Sequence, residues 1–308
     1  MSEKIYDVIV IGGGPAGYSA ALYCVRAGLD TLVLEMLSAG GQMTLTEVID
    51  NYPGFPDGID GFTLGDAMQQ QAEKFGAVSE MTEVTSVTLD GPLKTVHTSD
   101  MGDLSAYNVI VATGANARKL GLPNETMLAD KGIHYCAACD GMRFRGKTVA
   151  VVGGGNTALE DAALLARLCE KVYLIHRRGE YRADKIYADG LKGLDNIEPV
   201  LFSVVDNVTV EDGFKGVTVK DVRTGETKFL PADGLFVSVG RVPNTDFLGG
   251  IAETDGGYLV ADETTRTSVP GLFAVGDVRT KPLRQVVTAA ADGAVASKFA
   301  QEYLTEVK

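Results

Sequence analysis

Two cysteines three positions apart, in the run Cys136-Ala137-Ala138-Cys139-Asp140, carry the most pointed chemistry in this chain. At that spacing they close a small disulfide, which takes up two electrons when it opens. The attacking species in thiol–disulfide exchange is the thiolate, so a working pair also needs a group that manages protons. Asp140, directly after the second cysteine, is of the right type. The same C-x-x-C spacing is half of a structural zinc site, whose completion takes a second cysteine pair. The remaining cysteines, Cys24 and Cys169, are single, far apart and set in apolar helical patterns, where a small buried thiol is the ordinary reading. No metal is expected.

The elements around the pair are of the kind that hold electron-carrying dinucleotides. Tyr6-Asp7-Val8-Ile9-Val10-Ile11 is a nearly continuous apolar run, as in a strand buried on both faces. It enters Gly12-x-Gly14-Pro15-Ala16-Gly17 and then a helix of about ten residues with Arg26 and Gly28 as stop signals. Glycines are needed where this turn tightens, where backbone approaches a pyrophosphate and where helix packs on strand. The phosphates then sit on the N–H groups and dipole of the helix N-terminus. A second strand from Thr31 ends at Glu35, where a carboxylate can accept both ribose hydroxyls of an adenosine.

The pattern returns with an offset of 141 residues: a strand at Thr148–Val152, then Gly153-x-Gly155-x-x-Ala158, a helix through Leu168 and a strand from Val172 to Ile175. Where the first unit has Glu35, the second has His176-Arg177-Arg178. Guanidinium groups there pair with a 2′-phosphate in fork geometry, so this site is expected to prefer NADPH, with Arg182 a third contact. A solvated basic loop is the plainer alternative. The acid-terminated first site is expected to take FAD. Three further apolar runs ending in glycine, at Tyr107–Gly114, Gly234–Gly240 and Gly271–Gly276, read as strands returning to these sheets. Each puts its glycine beside a ligand crevice. An alanine-rich helix from about Gln285 to Tyr303 follows Asp277.

The first unit lacks its last strand until the run before Asp277, so a second domain is inserted in it. The expected fold is α/β, with two Rossmann-like dinucleotide-binding domains. The FAD domain covers residues 1–115 and 246–308, and the NADPH domain with the cysteine pair covers 116–245. Gly114–Ala117 and Arg241–Asn244 are the expected hinges, about which the domains rotate during turnover.

The 308 residues are ample for two cores, and 37 glycines agree with nucleotide loops. A formal charge of −13, from 28 basic and 41 acidic residues, argues against nucleic acid as a partner. No apolar run approaches the roughly 18 residues that cross a bilayer. Four cysteines and the opening Met1-Ser2-Glu3-Lys4 point to the cytosol rather than to a secreted disulfide framework.

Across essentially its full length the chain resembles the low-molecular-weight thioredoxin reductases. The resemblance is carried by Gly12-Gly13-Gly14-Pro15-Ala16-Gly17, Gly40-Gly41-Gln42, Asn51-Tyr52-Pro53-Gly54-Phe55, Ala112-Thr113-Gly114-Ala115, Cys136–Gly141, Gly153-Gly154-Gly155-Asn156-Thr157-Ala158, His176-Arg177-Arg178, Gly276-Asp277-Val278 and Arg284-Gln285. One departure is the Ala137-Ala138 spacer, where the family usually has Ala-Thr. The resemblance implies that Glu35, Gly41, Gln42, Asn51, Ala112, Thr113, Gly114, Gly276, Asp277, Arg284, Gln285 and Val286 serve FAD, with Asn156, Thr157, His176, Arg177, Arg178, Arg182 and Gly240 on NADPH. It also implies that Cys139 lies nearer the flavin, that Asp140 is the general acid or base, and that thioredoxin is the partner of a homodimer. Rival readings are a dithiol oxidase or a ferredoxin-linked reductase of the same architecture, and a redox sensor or zinc-stabilised binding protein.

Overall fold

The computed structural model describes residues 4–308. Strand β1 (Ile5–Ile11), helix α1 (Pro15–Arg26) and β2 (Thr31–Glu35) open the chain, followed by α2 (Gly61–Lys74), β3 (Val78–Met81), β4 (Val84–Thr88), β5 (Lys94–Thr98), β6 (Asp103–Val111) and the short β7 (Ala115–Ala117). Next come β8 (Ile133–His134), α3 (Ala137–Asp140), β9 (Thr148–Gly153), α4 (Asn156–Ala166), β10 (Lys171–Ile175), α5 (Lys185–Gly190), β11 (Ile197–Val200), β12 (Ser203–Val210), β13 (Phe214–Asp221), β14 (Thr227–Pro231) and β15 (Gly234–Ser238). The chain returns through β16 (Arg241–Pro243), β17 (Thr254–Asp255), β18 (Tyr258–Leu259), β19 (Leu272–Ala274) and α6 (Val286–Val307).

Two compact units result: one holds the residues up to Asn116 together with Val242–Lys308, and the other is Ala117–Arg241. In the first, the sheet runs β3-β2-β1-β6-β5-β4, and β19 adds to β6. The pairs β3/β2, β2/β1, β1/β6 and β6/β19 are parallel, whereas β4, β5 and β6 form an antiparallel meander. Val8, Ile9, Val10, Val109, Ile110 and Val111 are completely buried because helices or loops cover both faces. Each such side chain contributes about 1.5–3 kcal/mol by leaving water. This explains why β1 reads as a nearly continuous apolar run rather than as an alternation.

The second unit contains a wholly parallel sheet, β11-β10-β9-β15-β8, and an antiparallel sheet, β12-β13-β14. The two chain crossings pair with each other as β7 and β16. Helix α4 stops at Ala166, two residues short of its expected end, and Arg167 caps it. Helix α6 runs on to Val307, beyond the expected Tyr303, because Leu304 still reaches the core.

Glycine is obligatory at two points of the first loop. Gly12 has φ +106°, and a Cβ there would lie 2.5 Å from Ala112 O. A Cβ on Gly17 would lie 1.9 Å from Gly12 O, so α1 could not start against β1 with any larger residue.

Candidate active site

In the first unit, α1 begins after Gly14, with Pro15 in its first turn and no side chain capping its N–H groups. Its first-turn N–H groups are therefore left for an anion. Gly13 N donates to Glu35 Oε2 at 2.6 Å, which fixes the carboxylate at the end of β2 beside the glycine turn. Gly40 N donates to Gly13 O at 2.8 Å, and Gly41 lies against Gly14. Gly276 packs against Ala16 and Ala289. Hence Gly12–Gly17, Glu35, Gly41, Ala112 and Gly276 surround one helix N-terminus, as expected for a dinucleotide cradle.

The outer residues of that group are tied together by amides. Gln42 Nε2 donates to Asn116 Oδ1 and Asn116 Nδ2 to Asn244 Oδ1, both at 2.9 Å. Asn244 in turn donates Nδ2 to Thr113 O at 2.8 Å and accepts Thr113 Oγ1 on its own carbonyl at 2.7 Å. Its N–H also donates to Gly114 O. Asn51 Nδ2 donates to Gln285 Oε1 at 3.0 Å, and Gln285 closes a capping box with Thr288 just before Val286 starts α6. Arg284 donates to the carbonyls of Asp277 and Arg279 and lies 4.0 Å over the Tyr258 ring, which ties it to the Gly276-Asp277 turn.

Asp292, not singled out by sequence, anchors this turn from below. It accepts from Gly276 N, Arg279 and Lys281, with Arg279 bidentate at 2.9 and 2.9 Å. Burial alone would raise its carboxyl, but the two cations and the backbone N–H outweigh that and hold it below the usual carboxylate value. A lone acid inside the apolar stretch Ala289–Ala296 was the signal.

In the second unit, α4 begins after Gly155, again without a side-chain cap, and a Cβ on Gly155 would meet only open space. That leaves room before the helix N-terminus for a phosphate. Asn156 is committed elsewhere: Nδ2 donates to Asp184 Oδ2 and Oδ1 accepts from Asp184 N, both at 2.8 Å. With Arg182 N donating to Gly154 O at 2.7 Å, the segment carrying the arginines is hung from the glycine loop. Arg177, Arg178 and Arg182 are exposed, and Arg178 to Arg182 line an open concavity. Thr157 is exposed on the first turn of α4, over the buried Ala158.

His176 behaves differently from its neighbours. It is buried, and its ring fills the space above Gly154, where a Cβ would lie 2.2 Å from it. Burial pushes its pKa down, so the ring is neutral and serves as floor to the loop; the exposed arginines supply the charge. The internal repeat explains the position, since Gly154 and His176 match Gly13 and Glu35 at the same offset. Gly240, exposed just after β15, accepts Arg118 N on its carbonyl at the chain crossing.

Cys136 and Cys139 form a disulfide within the second unit, at the start of α3. Cys139 N and Asp140 N both donate to Cys136 O, and Cys139 N also approaches Cys136 Sγ at 3.2 Å. Asp140 is buried, with Oδ2 3.1 Å from His134 Nδ1 and Oδ1 3.9 Å from Arg143. Arg143 pairs with Asp130 at 2.8 Å. Asp130, His134 and Asp140 offer ligand-type atoms within 4.8 Å of one another, and the Arg143 guanidinium already supplies positive charge there. Sequence reasoning picked out Asp140 but not His134, Asp130 or Arg143, which only the fold of β8 and α3 gathers. The other two cysteines are buried, and burial pushes Cys24 up to about 12 and Cys169 up to about 11.

The pyridine nucleotide-disulphide oxidoreductase family model matches residues 6–293. The chain is 44% identical over 309 residues to the thioredoxin reductase of Listeria innocua, across 99% of this chain and 96% of that protein. It is 42% identical over 302 residues to that of Treponema pallidum, across 98% of each. The crystal structure of the thioredoxin reductase from Streptococcus pyogenes, 40% identical, matches with a TM-score of 0.93 over 99% of this chain and 100% of that one. Two glycine loops, a disulfide followed by a buried carboxyl, and likeness along the whole length lead to one conclusion: the chain belongs to the pyridine nucleotide-disulphide oxidoreductase family, among the bacterial-type thioredoxin reductases.

Proposed function

We propose that this chain reduces the disulfide of thioredoxin with electrons from NADPH, using bound FAD. The observation that carries the reading is the Cys136–Cys139 disulfide, set beside a buried carboxyl in the same unit as an arginine-bearing glycine loop. Bound together, the nicotinamide and the flavin supply the conversion of a hydride into two electrons that a disulfide accepts. In the first unit the uncapped start of α1 holds the pyrophosphate of FAD and Glu35 accepts from its ribose. In the second, α4 does the same for NADPH, and Arg177, Arg178 and Arg182 meet its 2′-phosphate.

With two electrons and two protons the Cys136–Cys139 bond opens to two thiols. One thiolate attacks the thioredoxin disulfide, forming a mixed disulfide and releasing a thioredoxin thiolate, which takes a proton. The second enzyme thiol then closes on the first, releasing the second thioredoxin thiol. Asp140 holds or moves the proton at each leaving sulfur. The homodimer and the cytosolic location implied by the family are part of this proposal; no helix among the described residues is long and apolar enough to cross a membrane.

The direct test is to purify the protein and add NADPH. A yellow protein that bleaches, and then recolours on adding oxidised thioredoxin, is expected; bleaching with no transfer to thioredoxin would overturn the partner. Coenzyme choice gives a second prediction. Arg177→Ala with Arg178→Ala is expected to weaken NADPH by about 1.5–3 kcal/mol per lost charge-assisted bond, with NADH little changed. Steady-state kinetics with both coenzymes checks this. Equal losses for the two would take 2′-phosphate recognition away from these residues.

A further inference from the structure

His134 ends β8, is 4% exposed, and lies stacked on Phe236 at 5.2 Å and edge-on to Phe144 at 5.0 Å. A phenyl ring would fill that slot as well. What histidine adds is a ring nitrogen that can donate: Nδ1 lies 3.1 Å from Asp140 Oδ2 and 3.7 Å from Asp130 Oδ1, two carboxyl oxygens that can accept from it. Asp130 is itself fixed by Arg143 at 2.8 Å. Asp140 Oδ1 is buried and has no hydrogen-bond partner among the described residues. One oxygen of the carboxyl is thus pinned by His134, and the other makes no hydrogen bond among the described residues, with the Arg143 guanidinium 3.9 Å away. The charged groups facing the ring are Asp130, Asp140 and Arg143; Lys131 is exposed, and Lys147 lies beyond, 5.6 Å over the Phe144 ring.

We propose that His134 is a positioning residue for Asp140, fixing the orientation of its carboxyl while the cysteine pair exchanges with a substrate disulfide. The inference rests on the reading of Asp140 as the acid–base group. The exchange it serves is balanced in itself: the enzyme dithiol is oxidised to a disulfide and the partner disulfide reduced to two thiols. Two hydrogens pass across, with one proton delivered at each departing sulfur. His134 touches neither sulfur in this scheme and acts only through Asp140.

The test uses the flavin-loaded enzyme, reduced beforehand and mixed with oxidised thioredoxin across a pH series. His134→Phe keeps the aromatic packing and removes the donor. It is expected to slow exchange about tenfold and to move the Asp140-dependent limb of the pH profile toward higher pH, because a hydrogen bond to a carboxylate favours its charged form. Flavin reduction by NADPH is expected to keep its wild-type rate. His134→Asn, which offers an N–H in the direction of Nδ1, is expected to recover most of the exchange rate with the limb near its wild-type position.

A His134→Phe enzyme with wild-type exchange and an unshifted profile overturns the inference. So do Phe and Asn variants that lose rate equally with no shift, since that pattern is packing alone. If His134→Phe does not fold, His134→Asn decides: near-wild-type exchange supports the inference, and a tenfold loss overturns it. Asp140→Asn separates the two levels. A slow Asp140→Asn beside an unaffected His134→Phe removes His134 only, whereas wild-type exchange in Asp140→Asn removes the acid–base reading beneath it.

Discussion

Cys136→Ser, Cys139→Ser and the double variant are expected to lose thioredoxin reduction altogether, while NADPH still bleaches the flavin at the wild-type rate. A serine oxygen can neither open as a disulfide nor attack one at neutral pH, so either replacement breaks the exchange chain completely. No other thiol can take over. Cys24 and Cys169 are buried and pushed far above neutrality, to about 12 and about 11, so their thiolate is scarce and out of reach. Both glycine loops and the arginines lie outside the substituted positions, which is why electron entry should survive. Stopped-flow absorbance of the flavin on mixing with NADPH is the measurement. A double variant whose flavin no longer bleaches would place the cysteines at the entry of electrons rather than at their exit.

The other large effect concerns Asp292. Removing one partner of a buried ionic cluster leaves the rest uncompensated, a loss of about 3–5 kcal/mol. In Asp292→Ala, Arg279 and Lys281 remain as two cations, with 4% and 5% side-chain exposure for Lys281 and Arg279, and Gly276 N loses its acceptor. The variant is expected to unfold its first unit at markedly lower urea and to release flavin more readily.

The pH dependence follows from the lowered carboxyl of Asp292. Its folded value lies below its unfolded one, so the stability it contributes is fully present above the unfolded value of about 4. That stability is lost as the pH falls through the folded value. Asp292→Asn is therefore expected to flatten the acid limb of the stability profile, as followed by urea midpoints between neutrality and the acid range. An unchanged acid limb would show that other carboxylates set it.

Residues near in sequence were the ones read most directly. Gly12 and Gly17 announce a tight turn because a Cβ would lie 2.5 Å from Ala112 O at the first and 1.9 Å from Gly12 O at the second, and the nearly unbroken apolar run of β1 announces a strand covered on both faces. The repeat was legible for the same reason: each loop, its helix and the following strand form one local unit. Charge type at the end of the second strand was visible too, but not its division of labour. His176 reads as one of three basic residues, and only its burial over Gly154 makes it a neutral floor while Arg177 and Arg178 stay in solvent.

Residue order and spacing thus carry the α/β class, the two dinucleotide loops, the redox pair and the family. Tertiary structure alone decided which distant side chains complete each site. Asp292 reaches Gly276 from a helix that begins ten residues after it. Asn244 joins Thr113 across 131 positions, and His134, Asp130 and Arg143 converge on Asp140 from β8 and the turns beside α3. The physical reason is that a hydrogen bond or ion pair depends on ångström-scale approach and on exclusion of water. Residue type and spacing fix neither of these until the sheets have set the strands side by side.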